Sequence, residues 1–293
     1  MKKLFLTSVV LLMALMAQAQ TKIAPKLENG FKAVYTEKST INMMGKELTI
    51  NSDNEYAVSD VTADGAVITI TNTSMDVPST EGMDPVSALL LMSAQLTKGS
   101  VVKLAVNADG VPQKILNFDE VKQKVGETID DNISRMFEAM PELSQATTKE
   151  DLTEQLMETI SEEMLLSDFD VLALNGKTIA NGRQDTYTNS DGMKMKRMYF
   201  IAGKKIISNA TLDMSKDELK EFIIKQVEKE APEQAQMIKE NIDMVMGQLK
   251  FDATEKNTYE MQDNNWPASI ISEETKDSMG QSVKVTSTTS LKK

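Results

Sequence analysis

The 293-residue chain contains no histidine and no cysteine. Without histidine there is no Ser-His or Cys-His nucleophile pair, no imidazole general base and no histidine-ligated zinc. Without cysteine there is no thiolate chemistry and no disulfide framework. Neither a G-x-G-x-x-G pattern nor a P-loop occurs. Basic residues are also short, with 32 Lys and Arg against 44 Asp and Glu and a net charge of −12. That balance disfavours nucleic acid and anionic membrane surfaces, which are held by clustered Lys and Arg. Beyond the first twenty residues, no apolar run is long enough to cross ~30 Å of hydrocarbon.

The chain opens MKKLFLTSVVLLMALMAQAQ. Lys2 and Lys3 precede an apolar stretch from Leu4 to Met16, and Ala17-Gln18-Ala19 offers a small-x-small cleavage site. Residues 1–19 therefore read as a signal peptide, and the exported protein as starting at Gln20. No cysteine follows the cleavage point, so the expectation is a soluble periplasmic or secreted protein without a lipid anchor. Residues 20–293 are expected to form one domain, or alternatively two fused lobes over 20–168 and 169–293.

What is present alternates in blocks. Strand patterns such as EYAVSDV and GAVITIT fill the stretch from Phe31 to Thr73. SVVKLAV and VPQKILNF make a hairpin around Asn107-Ala108-Asp109-Gly110. Apolar residues from Phe118 to Met140 recur at three- and four-residue spacing, and Leu152, Leu156, Ile160 and Met164 stripe a second helix after a capped start near Thr148. Strands resume over 169–212; a capping box at Ser215 and a proline at Pro232 then open two more helices. Three strands finish the chain. NADGVPQKIL is echoed by QDNNWPASII: each has a polar turn, an apolar residue, a proline and a later isoleucine. If both open inner strands, Pro112 and Pro267 start strands and Ile115 and Ile270 are buried. Strands, helix pair, strands, helix pair, strands predicts an α+β fold: a curled, half-barrel-like antiparallel sheet packed against two helix pairs.

That turn-φ-Pro-x-x-Ile hairpin resembles the strand pairs of the bacterial outer-membrane lipoprotein carrier family, a half-barrel that shelters lipid chains. Over most of its length the chain resembles a family of exported bacterial proteins of about 300 residues with no assigned activity. The likeness is closest in LAVNADGVPQKILNFDEV and WPASIISEETKDSMGQSVKVTSTTSLKK. The first resemblance implies an apolar ligand, such as lipid or lipoprotein acyl chains. The second implies no chemistry.

Candidate sites are few. Ser100-Val101-Val102-Lys103 fits S-x-x-K, but on a strand that spacing sends the two side chains to opposite faces. Ser52-Asp53-Asn54 fits S-D-N in the wrong order, and no K-T-G follows. Carboxylate pairs such as Glu162-Glu163 read as solvated faces, and Asp263-Asn264-Asn265 as a turn rather than a calcium loop. Met193 and Met195 read as the inward side of a strand whose basic neighbours face water, rather than as a copper site. No catalytic residue, metal ligand or cofactor is assigned. Residues 86–96 are apolar on nearly every side, and Trp266 sits at a hairpin tip, so Leu89, Leu90, Met92 and Trp266 are the candidate lining of an apolar-ligand site. The reading is a non-enzymatic carrier of an apolar ligand. The alternatives are a module that contacts another envelope protein and, below it, a hydrolase using serine-lysine or carboxylates.

Overall fold

The structure, a computed structural model, describes residues 20–43, 45–78, 91, 98–139, 141, 144, 147–167, 169–189, 191–230, 232–248, 251–278 and 281–292. Eleven strands form one curled antiparallel sheet that does not close, and two short strands form a second sheet. In chain order the first wing is β2 (Lys32–Met43), β3 (Lys46–Ser59), β4 (Gly65–Asp76), β5 (Val101–Asn107) and β6 (Pro112–Ile115). The second wing is β8 (Gln184–Thr188), β9 (Lys194–Ala202), β10 (Lys205–Leu212), β11 (Asp252–Met261), β12 (Pro267–Ser278) and β13 (Gln281–Leu291). Within each wing, neighbours in sequence are neighbours in the sheet. The wings meet where β2 pairs with β13, from Val283 opposite Met43 to Leu291 opposite Tyr35.

Helices α1 (Phe118–Ala139), α2 (Lys149–Thr159) and α3 (Glu162–Ser167) follow the first wing, and α4 (Lys216–Glu230) and α5 (Pro232–Gln248) interrupt the second. The α1 stripe expected from the sequence is the buried one: Val121, Val125, Ile129, Ile133 and Met136 join Ile68, Leu104 and Ile115 in the main core. Thr148 caps α2 by accepting from the Asp151 amide at 3.0 Å. Ser215 and Glu218 exchange the two bonds of a capping box, at 2.7 and 3.2 Å. Phe222 of α4 packs on a smaller cluster made by Met193, Met195, Ala210 and Ala253. Lys194 and Lys196 on the same strand are exposed.

Three local expectations change. The helix expected across Leu152 to Met164 breaks at Ile160, which turns extended, and Ser161 restarts it by accepting from the Met164 amide at 3.1 Å. Residues 169–175 are not strand: a turn of 3-10 helix at Asp170–Leu172 buries Val171 and Leu172, and alternation alone does not separate such a turn from a short strand. Glu162 is not simply solvated. Its carboxylate accepts from the Ile115 amide at 2.6 Å, satisfying a donor on the edge strand β6.

The repeated stretch proves structural. β6 begins at Pro112 and β12 at Pro267, and Ile115 and Ile270 are both buried. The turns match bond for bond: Asn107 N–H donates to Val111 O and Gly110 N–H to Asn107 O, as Gln262 N–H does to Trp266 O and Asn265 N–H to Gln262 O. Gly110 has φ +75°, and Asn265 takes the same left-handed region at +58°. The N-terminal segment runs between the two turns. Pro25 abuts Gly110, Asn265 Nδ2 donates to Ala24 O at 2.9 Å and Trp266 Nε1 to Lys26 O at 3.2 Å. Just ahead of it, β1 (Thr21–Lys22) pairs with β7 (Thr178–Ile179), and Ile23 is buried beside them.

Candidate ligand cavity

Side chains alternate along a strand, so one register row in two faces the concave side. At the base that side is apolar: Tyr56, Ile70 and Val102 lie in one row across β3, β4 and β5. The next inward positions are polar. Asn54 stands opposite Asn72, whose amide N–H bonds to Ser100 O, and Glu37 lies between Ser52 and Thr289. A further row carries Tyr199, Ser208, Asn257, Ser272, Ser287 and Ser39 across six strands. Polar side chains facing inward in such numbers are not ordinary core.

Of these, Glu37, Ser39, Ser52, Asn54, Asn72, Ser100 and Thr289 line a cavity of about 260 Å³. Tyr35, Tyr56, Ile70, Val102, Phe169 and Val171 make its apolar wall. Glu37, Ser39, Ser52, Asn54, Asn72, Ser100, Asp170 and Thr289 make its polar wall. Tyr35 is fixed by donating its hydroxyl to Pro267 O at 2.8 Å, and burial holds its phenol far above the usual range. Asn72 is fixed too: its Nδ2 donates to Asn54 Oδ1 at 3.0 Å, and its Oδ1 accepts from the Gly99 amide at 2.9 Å. The polar wall is thus preorganised by the sheet that carries it.

Asp170 enters from the 3-10 turn. Its carboxyl is pushed up, first by burial within the protein and then by the negative charges of Glu255 and Glu274. These two stand directly opposite each other on β11 and β12. Lys276 pairs with Glu274 at 2.8 Å and also with Asp191. Beyond them, Arg197 forms a two-pronged bond to Asp185, at 3.1 and 3.2 Å, with its guanidinium 4.2 Å from the Tyr187 ring centre and 5.1 Å from that of Tyr199. The Tyr187 hydroxyl donates to Glu255. Arg197 was expected to face water with its basic neighbours. The β9 alternation turns it inward beside Met195 instead.

Of the sequence-derived candidates, Leu89, Leu90 and Met92 lie outside the described residues, as does most of the apolar stretch over 86–96. Trp266 is 1% exposed. Its ring stacks on Phe31 at 4.8 Å and meets Tyr56 edge-on at 6.4 Å, so it reaches the cavity wall only through Tyr56. Ser100 points inward and Lys103 outward, which leaves S-x-x-K without a pair. Asp53, the acid of S-D-N, lies on the outer face, where hydrogen bonds from Thr36 and Lys292 hold its carboxyl low. Among the described residues no cluster of three or more carboxylates has metal-binding geometry, and no helix is long and apolar enough to cross a membrane. Sequence reasoning missed Asp170, Arg197 and the polar rows. The signal for the rows was present, since Glu37 and Ser39 follow Tyr35, and Ser52 and Asn54 precede Tyr56, at inward spacing.

No family model matches the chain, and no curated protein matches it. Among solved structures the chain is similar to lipovitellin, in a structure concerned with lipid–protein interactions in that protein. The TM-score is 0.43 at 10% identity, over 91% of this chain and 25% of the lipovitellin chain. The chain thus spans about a quarter of the length of the lipovitellin chain it matches.

Proposed function

We propose that this protein is an exported, non-enzymatic carrier of a small ligand with an apolar body and a polar end. The supporting observation is the cavity's mixed lining: Tyr56, Ile70, Val102 and Phe169 are apolar, and Asn54, Asn72, Ser52 and Thr289 are polar. At ~30 Å³ per water its 260 Å³ corresponds to about nine water molecules. That suits one ring or one short chain, near the lower end of known ligand sites at roughly 300 Å³. Lipoprotein acyl chains would need the cavity to widen.

Extraction and mass spectrometry of whatever co-purifies with the exported protein tests the reading. A second arm titrates an environment-sensitive apolar dye into the native protein and into Ser52→Phe, which fills the cavity from its polar wall. Dye binding in the parent and its loss in the folded variant support a carrier. No co-purifying molecule and no dye binding would remove the carrier reading. Export is tested by terminal sequencing, expected to begin at Gln20.

A second reading, a module that contacts another envelope protein, draws on the convex face. There Phe200 and Ile271 are exposed in one register row, joined through Ile207 and Thr258. Loss of a co-purifying protein in Phe200→Ser with Ile271→Ser would favour it.

A further inference from the structure

The cavity has a sign. Among its described lining residues the charged groups are the carboxylates of Glu37 and Asp170, and neither lysine nor arginine contributes. Asp170 is solvent-accessible within the concavity although the two residues after it are buried. Among the described residues its carboxylate has no hydrogen bond and no ion pair. The charged groups that act on it, Glu255 from β11 and Glu274 from β12, share its sign. Two cations around these acids are committed: Lys276 to Glu274 and Asp191, and Arg197, which lies over the Tyr187 that donates to Glu255, to Asp185.

We propose that the ligand carries a cationic amine on its apolar body, with the ammonium seated at Asp170 and the body against Tyr35, Tyr56 and Phe169. This rests on the carrier reading above and specifies the chemistry of that cavity. A carboxylate-headed ligand such as a fatty acid would add a further negative charge to Asp170, Glu255 and Glu274, whereas an ammonium neutralises part of their mutual repulsion. Tyr35, Tyr56 and Phe169 line the same cavity as Asp170, and an aromatic face attracts a cation that comes within about 6 Å of it. Seryl and asparaginyl oxygens on the polar wall accept the remaining ammonium hydrogens.

The raised Asp170 carboxyl supports the same assignment. A bound cation lowers it again, so amine binding expels a proton from Asp170 wherever the free protein still holds one. The other titratable groups facing it, Glu37, Glu255, Glu274 and Tyr259, are acids as well.

The test is calorimetric titration with matched probes: phenethylamine, 2-phenylethanol and phenylacetate, and the corresponding hexyl amine, alcohol and acid. The amine is expected to bind at least about tenfold tighter than the alcohol of the same body, a preference of ~1.4 kcal/mol, with the acid weakest. Asp170→Asn is expected to erase the amine-over-alcohol ratio, with circular dichroism confirming the fold. In acidic buffers the heat of amine binding should vary with buffer ionisation enthalpy in the parent and not in Asp170→Asn. Equal affinity across a series, or a preference for the acid, overturns the amine assignment and leaves the carrier reading standing. If no probe of either body binds, the alcohols included, the carrier reading falls and this assignment with it.

Discussion

Replacing Gly110 and Gly203 separately by alanine isolates the contribution of the N-terminal segment from that of turn geometry. Both glycines sit at tight turns in the left-handed region, with φ +75° and +62°. An alanine there costs ~1–2 kcal/mol in either case. The surroundings differ. A Cβ at Gly203 meets nothing within 4 Å, whereas at Gly110 it falls 2.5 Å from Pro25 Cγ and 2.9 Å from Asn175 Nδ2. The first belongs to a proline ring closed on its own backbone, and the second is the tip of a side chain held by its donation to Gly110 O at 2.9 Å. Displacing them adds ~1–3 kcal/mol of overpacking and about 1 kcal/mol for the hydrogen bond. Gly203→Ala should therefore lose ~1–2 kcal/mol and Gly110→Ala ~3–6 kcal/mol. Urea unfolding followed by the fluorescence of Trp266, the sole tryptophan and a core residue, reads both. With an unfolding slope of ~1–3 kcal/mol per molar, the difference is a clear gap between midpoints. Coincident midpoints would show that the segment around Pro25 does not press on the turn, and the reasoning would fail.

Trp266→Phe keeps a ring against Phe31 but removes the Nε1 bond to Lys26 O, and should cost ~1–3 kcal/mol in chemical unfolding read by circular dichroism. Asp185→Asn strips the partner from an Arg197 whose side chain is 14% exposed, and should cost ~1–3 kcal/mol, an effect that Arg197→Met in the same background largely abolishes. Lys177 is pulled down to about 8, chiefly by burial and then by Arg197, with Asp185 opposing. Its folded value is the lower one, so the unfolded chain binds more protons above about pH 8 and stability rises with pH from there toward the ordinary lysine range. Lys177→Met should accordingly be more stable than the parent at pH 6, with the advantage shrinking between about pH 8 and 10 in parallel denaturation curves. For Asp170 the sign reverses. A raised carboxyl lets the folded protein hold a proton that the unfolded chain has lost, so stability falls as pH rises from the ordinary aspartate value through the raised one. Asp170→Asn should match the parent in strong acid and exceed it at neutral pH in the same assay.

Local physics made much of this fold readable. Alternation in GAVITIT and SVVKLAV, the caps at Thr148 and Ser215, and the turn at Gly110 all act within a few residues, and each appears where the sequence puts it. The cavity draws on relations that no short window contains. Alternation tells that Glu37 and Tyr35 share a face, but only the pairing of β2 with β13 sets Glu37 beside Thr289. Asp170 is written within FDVLALN, where a strand and a 3-10 turn have the same apolar pattern. Burial of Val171 and Leu172 against the core decides for the turn, and the turn aims the carboxylate. Arg197 reads as one of three basic residues until its partner Asp185 is found across β8 and β9.

The seam between β2 and β13 gives the molecule an order of assembly. Within each wing most neighbouring strands are hairpin partners, the longer connections being those between β4 and β5 and between β10 and β11, and local pairings form quickly. The seam joins β2 to β13 through nine residue pairs that are far apart in sequence, so its closure is slower than that of a hairpin. Tyr35, Glu37, Ser39 and Ile41 stand on one side of that junction and Thr289 on the other, so this side of the cavity is completed only when β13 pairs with β2. A chain without β13 would keep β2–β6 and β8–β12 but leave β2 and β12 as long bare edges, open to pairing with the edges of a second copy. The pocket is in this sense a product of the seam: Tyr35 and Thr289 come to line one cavity only once β2 and β13 have paired.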